Sequence, residues 1–202
     1  MFLKALLILG LSVLVSSAQP ASALTLTFDD VPGGSLQNTY GDMPTYGGFN
    51  FSFTLDWIDL VGSGWPYGAH SGEFGILNNN GGVGTISAAD SSDFTFDGLW
   101  AKRWATPPQS GGADTQFGTL SGYNNGVLVW LVLTSLNGSY EFYGPQAGAI
   151  DELQLNFGNF FLADDLSLNQ PAGVADSTST LALMIIVGLL GLVVQRWRPA
   201  SA

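Results

Sequence analysis

Short stretches in which apolar and polar residues alternate strictly, broken by asparagine–glycine pairs, constrain this chain more than any other feature. In residues 24–28, Leu24, Leu26 and Phe28 alternate with Thr25 and Thr27. In residues 49–53, three Phe alternate with Asn50 and Ser52. A two-residue period places one set of side chains on one face of a strand and the other set on the opposite face. Further strands are expected at 75–77, 85–87, 93–96, 99–104, 116–123, 127–136, 139–142, 152–157 and 160–168. Asn80-Gly81, Asn125-Gly126 and Asn137-Gly138 are the dipeptides that favour hairpin turns, since both residues tolerate positive φ. No helical period appears before residue 177. About ten short strands at near-regular spacing predict an all-β fold, an antiparallel two-sheet sandwich.

Composition agrees. Charged residues make up 10% of the 202-residue chain, and there are 27 glycines; a typical soluble protein is about 25% charged. Between Leu24 and Ala175, 15 Asp and Glu face only Lys102 and Arg103, a net of −13. Such a surface repels phosphate backbones, so nucleic acid is excluded as a partner. The chain has no cysteine, which excludes disulfides, thiol nucleophiles and thiolate metal sites.

The two ends differ from the middle. Lys4 precedes the apolar residues 5–15, and the small residues Ala21, Ser22 and Ala23 follow. These are the three parts of a secretory signal peptide, with cleavage expected after Ala23 or, alternatively, Ala18. At the other end, residues 181–194 are fourteen uncharged positions and 178–194 are seventeen, a short membrane span. Arg196 and Arg198 beyond it would stay on the cytoplasmic side. The expected organisation is a signal peptide over 1–23, an exported domain over 24–169, a linker and sorting motif over 170–176, and a hydrophobic helix with its arginine cluster over 177–198.

A polar motif, an apolar helix and terminal arginines together resemble the PEP-CTERM type of bacterial sorting signal. The run VADSTSTL at 174–181 is similar to that family's V-P-D-S-G-S-T variant. Val174, Asp176, Ser177, Ser179 and Thr180 match, while Ala175 and Thr178 stand where the family has proline and glycine. The resemblance implies processing by an exosortase after the secretion machinery and signal peptidase have acted. It also implies transient anchoring in the inner membrane, then the cell surface or the extracellular space. Phrases such as LTFDD at 26–30, YGGF at 46–49, SGEF at 71–74, SGYNNG at 121–126 and FLADDL at 161–166 resemble the jelly-roll domains of such proteins. That likeness implies a structural or adhesive role, within an exopolysaccharide matrix.

Two groups of residues are candidate sites. If the first and last strands lie side by side, Asp29 and Asp30 approach Asp164 and Asp165. Alternation would let only one Asp of each pair share a site. Paired carboxylates would suit Ca²⁺, which takes six to eight oxygen ligands, and related sandwiches carry a structural calcium in such a place. Trp65 and Tyr67, in a glycine-rich loop, are expected to stack on a sugar, as in a lectin-like carbohydrate-binding module. Trp100, Trp104 and Trp130 are expected in the core. The only histidine, His70, lies outside any G-x-S-x-G elbow, and residues 81–84 lack the lysine of a phosphate loop. The expectation is therefore a non-enzymatic protein; a glycan hydrolase using two carboxylates is the catalytic alternative.

Overall fold

The protein is described here from a computed structural model covering residues 23–34, 40–61, 67–78, 81–104, 115–158 and 160–169. The signal segment, Trp65, the sorting motif, the C-terminal apolar run and its arginines lie outside the described residues.

Twelve antiparallel strands occur among them. Seven form one sheet, sheet A: β1 (Ala23–Leu26), β2 (Tyr40–Asp42), β4 (Asp56–Asp59), β5 (Phe74–Asn78), β7 (Phe96–Arg103), β10 (Glu141–Tyr143) and β12 (Phe161–Asn169). Sheet B holds β3 (Phe49–Phe51), β6 (Gly84–Ala88), β8 (Gln116–Asn124), β9 (Val127–Leu136) and β11 (Glu152–Asn156). Sheet A runs β10-β7-β12-β5-β4-β2, with β1 also on β12; sheet B runs β3-β6-β11-β8-β9. The first strand does lie beside the last, Leu26 opposite Leu166 and Ala23 opposite Asn169.

The inner faces of both sheets enclose one core. Phe96, Leu99, Phe161, Leu166 and Leu168 from sheet A meet Phe49, Ile86, Leu120, Leu153 and Leu155 from sheet B. Each fully buried Phe or Leu here contributes roughly 1.5–3 kcal/mol through the apolar area it removes from water. Trp130 is buried as expected, its ring centroid 5.5 Å from that of Phe96.

Sheet A is unusual in being covered on its other face as well. Ile58, Leu60, Leu77, Trp104 and Leu162 form a second buried cluster there, with Tyr67 and Ala69 packed against it. This explains why β4 is missing from the sequence reading. All four of its residues, Asp-Trp-Ile-Asp, are buried, so nothing alternates, and two acidic residues disguise it as a loop. Strand β2, which reads Tyr-Gly-Asp, was also not expected.

Three other expectations need correction. Where two strands are expected, at 93–96 and 99–104, one continuous strand forms, β7 (Phe96–Arg103), preceded by an isolated bridge from Phe94 to Ile150. Of the three asparagine–glycine pairs, Asn125-Gly126 closes a hairpin, between β8 and β9, with φ of +50° and +74°. The pair at 137–138 lies where the chain crosses from β9 of sheet B to β10 of sheet A, its preference for a tight turn outweighed by the apolar faces that must reach opposite layers; Asn80 lies outside the described residues. Trp100 is only half-buried, on the outer face of sheet A.

Candidate functional site

Strand β12 changes partner halfway along. Phe161, Leu162 and Ala163 pair with β5, whereas Leu166 to Asn169 pair with β1 on that same flank. Between them the ladder to β7 slips: Asp164 is opposite Trp100, and the next partnered residue, Ser167, is opposite Gly98. Asp165 adopts φ +47° at this bulge, a left-handed conformation that short polar side chains tolerate best. The extra residue shifts the alternation. Phe161 and Ala163 face the inner core before the bulge, and Leu166 and Leu168 face it afterwards.

The slip corrects the expectation that only one of these two carboxylates could enter a site. Both meet the segment before β5. Asp164 Oδ2 accepts from the backbone N–H of His70 (2.9 Å) and of Ser71 (3.0 Å). Asp165 Oδ1 accepts from the Ser71 hydroxyl at 2.6 Å, and its Oδ2 lies 2.6 Å from His70 Nδ1. Asp29 extends the clamp, its Oδ1 accepting from Glu73 N–H (2.7 Å) and Phe74 N–H (3.1 Å). Between these anchors Gly72 has φ +56°, and a Cβ there would come 2.0 Å from Asp29 Oδ2. Asp30 turns away and accepts from the Tyr46 hydroxyl.

The four predicted carboxylates thus gather around neighbouring parts of the chain, and what three of them meet is one segment's N–H and O–H donors. Among the described residues, no group of three or more His, Asp or Glu is arranged to hold a metal ion. Asp29 spends one oxygen and Asp164 both on backbone N–H groups.

Charge beneath the segment is deeply desolvated. Burial pushes the Asp164 carboxyl up to about 7, the amides of Ser71, Asp165 and His70 pull it down, and the neighbouring Asp165 charge adds to the rise. Lys102 is buried on the same side of the sheet, its Nζ donating to the carbonyls of Tyr67 and Gly68 and lying 4.4 Å from the Tyr140 ring centroid. Desolvation lowers its pKa to about 8. Tyr140 donates to Gly68 O at 3.2 Å, and burial raises its pKa. The His70 ring stacks on Trp100 with centroids 3.9 Å apart. Tyr67, expected to contact a ligand, packs on Trp104 at 5.4 Å. Serine and histidine both bond one carboxylate, so the hydroxyl is not aligned on the imidazole as acyl-transfer chemistry requires. These contacts fasten the segment over sheet A.

The outer face of sheet B is different. A cleft of about 480 Å³ lies over β6, β11 and the β8–β9 hairpin, lined by Ser87, Ser91, Tyr123, Asp151, Glu152 and Gln154, among others. Ser87, Glu152 and Tyr123 stand in one cross-strand row. The hairpin holds the rim, Asn125 N–H donating to Asp151 Oδ2 at 2.8 Å. Sequence reasoning missed these residues because they converge from three strands far apart in the chain. Only the Asn125-Gly126 turn was legible.

No protein-family model matches the chain, and no curated protein matches it either. Among solved structures the chain is similar to one described as "Family 16 Carbohydrate Binding Module-2". The match has 14% identity and a TM-score of 0.28, over 63% of this chain and 89% of that one. A superposition that loose carries no argument about function.

The clamp makes stability depend on pH in a defined direction. A carboxyl whose pKa is raised in the folded state binds its proton more tightly there than in the unfolded chain, so stability falls as pH rises from about 4 through 7. Burial and the Asp42 charge raise Asp56 too, adding the same sign. Lys102 contributes no slope below pH 8. The melting temperature is expected to be higher at pH 5 than at pH 7.5, and Asp164→Asn should flatten most of that difference. An equal or higher value at pH 7.5 would contradict the assignment. Melting in excess chelator tests the expected calcium: a drop of several degrees shows a bound cation, and an unchanged value removes it.

Proposed function

We propose that the chain is an exported, non-enzymatic protein of a bacterial envelope or extracellular matrix whose sandwich, of jelly-roll type, holds a neutral glycan on the outer face of sheet B. The observation that carries the glycan is the cleft itself. Its 480 Å³ falls in the range of small-ligand sites, about 300–1,000 Å³. Its lining offers two hydroxyls, a phenol, an amide and two carboxylates, with no cationic group. That set donates to and accepts from sugar hydroxyls, gives an aromatic ring for a sugar's C–H face, and repels phosphates and acidic polymers. On sheet A, Tyr67 and Ala69 pack over the outer cluster.

The export half rests on the two ends. Lys4 and the apolar run behind it are a delivery signal, cleaved at the start of the sandwich. The run at 174–181, the apolar stretch and Arg196 with Arg198 are a tail read by an exosortase, which detaches the domain from the inner membrane. Matrix location and a polyol-binding cleft belong together, since a low-charge acidic domain adheres best to neutral polysaccharide.

Affinity electrophoresis of the mature protein in gels holding neutral polysaccharides, the host's own exopolysaccharide included, tests the glycan. Retardation is expected, with Tyr123→Ala and Glu152→Gln each weakening it about tenfold, the loss of roughly 1.4 kcal/mol typical of one such contact. No retardation by any polymer, or retardation indifferent to both substitutions, would sink the reading. Release of reducing ends from a retained polymer would overturn the non-enzymatic part. A chain from the host ending at Ala202 within the membrane would overturn the sorting part.

A further inference from the structure

Strand β9 closes one end of sheet B, and no strand among the described residues pairs with its free edge. It is ten residues long, far longer than β3 at the opposite edge, which has three. Long open edges are normally blunted by lysine, proline or an inward charge, because unpaired N–H and C=O groups recruit another strand. Here residues 116–140 carry no Asp, Glu, Lys or Arg and no proline, in a chain of net charge −11.

The side chains beside that edge are apolar and exposed. Leu133 is 80% exposed and Phe117 78%, with Leu128, Val129 and Leu131 also exposed. Thr119 lies opposite Leu133 and Phe117 opposite Ser135, so Leu131, Leu133 and Phe117 share the outer face. Trp130, Thr134 and Leu136 are buried on the inner one, which fixes which way the strand faces. The irregularity near Gly122 and Tyr123 sits at the turn end, leaving the ladder from 130 to 136 regular.

We propose that β9 is the docking edge for β9 of a second copy of this chain, paired antiparallel about a two-fold axis to give one continuous ten-stranded sheet. Charge selects this occupant. Two molecules this acidic repel one another over most of their surfaces, and the uncharged hairpin is where they approach with least repulsion. A basic partner would gain nothing from an edge without acidic groups. A two-fold axis perpendicular to the sheet keeps outer face with outer face, so Leu131 and Leu133 lie next to the same strand of the second copy and leave water. The pairing is independent of the glycan reading, and it sets two clefts side by side on one surface.

The absence of cysteine makes the test direct. In the mature chain isolated from its host, single cysteines are introduced at Leu131, Leu133 and Ser135, and as a control at Asn50 on the opposite edge. Mild oxidation is expected to give a disulfide dimer at the β9 position nearest the axis, where facing Cα atoms come within about 4.5–5.5 Å, and none at Asn50. In sedimentation at micromolar concentration the unmodified chain is expected to be a dimer. Leu133→Lys, at a position too exposed to unfold the core, should raise the dissociation constant at least tenfold. A monomer without cross-links overturns the proposal, as does a dimer that ignores Leu133→Lys or cross-links equally at Asn50.

Discussion

The left-handed backbone at Asp165 is the constraint on which the rest depends. It inserts one residue into β12 and reverses the strand's alternation at the point where its neighbour changes from β5 to β1. Without it, Leu166 and Leu168 would leave the inner core and Asp165 would enter it. With it, two adjacent carboxylates emerge together and take hold of His70 and Ser71. Asp29, arriving on the chain just after β1, takes the next two amides available at Glu73 and Phe74. First strand, last strand and the entry to β5 are thereby tied at one place.

A division of labour between the two sheets follows. Sheet A is buried on both faces, by the inner core and by the segment held down over Ile58, Leu60, Leu77, Trp104 and Leu162. Burial beneath that cover raises the pKa of Asp164 and lowers that of Lys102, and each is bonded to backbone groups. Sheet B keeps its outer face open, polar across β6 and β11 and apolar along β9. With no cysteine in its sequence to form a disulfide, the chain draws its rigidity from the first sheet and presents an open face on the second.

How much of this was legible depended on whether a strand is covered once or twice. Strands covered once, such as β1 and β6, announced themselves by alternation, β9 by its apolar run after the Asn125-Gly126 turn, and the pairing of first and last strands was the condition set for the aspartate site. Strand β4 was invisible because Asp56, Trp57, Ile58 and Asp59 are all buried. The aspartate pairs stood out as a site, but their partners did not, since backbone amides leave no trace in a sequence. The assumption that adjacent residues point apart failed at Asp164 and Asp165 because a bulge is decided by what packs on either side of it. Tyr67 was read as a sugar contact; its aromatic neighbour Trp104, 37 positions away in sequence, was not foreseeable from its loop.

The central claim is that the clamped outer face of sheet A is structural and the open face of sheet B is the working one. Hydrogen exchange by mass spectrometry on the mature protein, with and without polysaccharide from the host's matrix, addresses both halves at once. Amides of His70, Ser71, Glu73 and Phe74 should exchange as slowly as the core strands in either condition, with added protection from the polymer confined to residues 85–91, 121–126 and 151–154. Rapid exchange at 70–74, or polymer protection appearing there instead of on sheet B, would contradict the account.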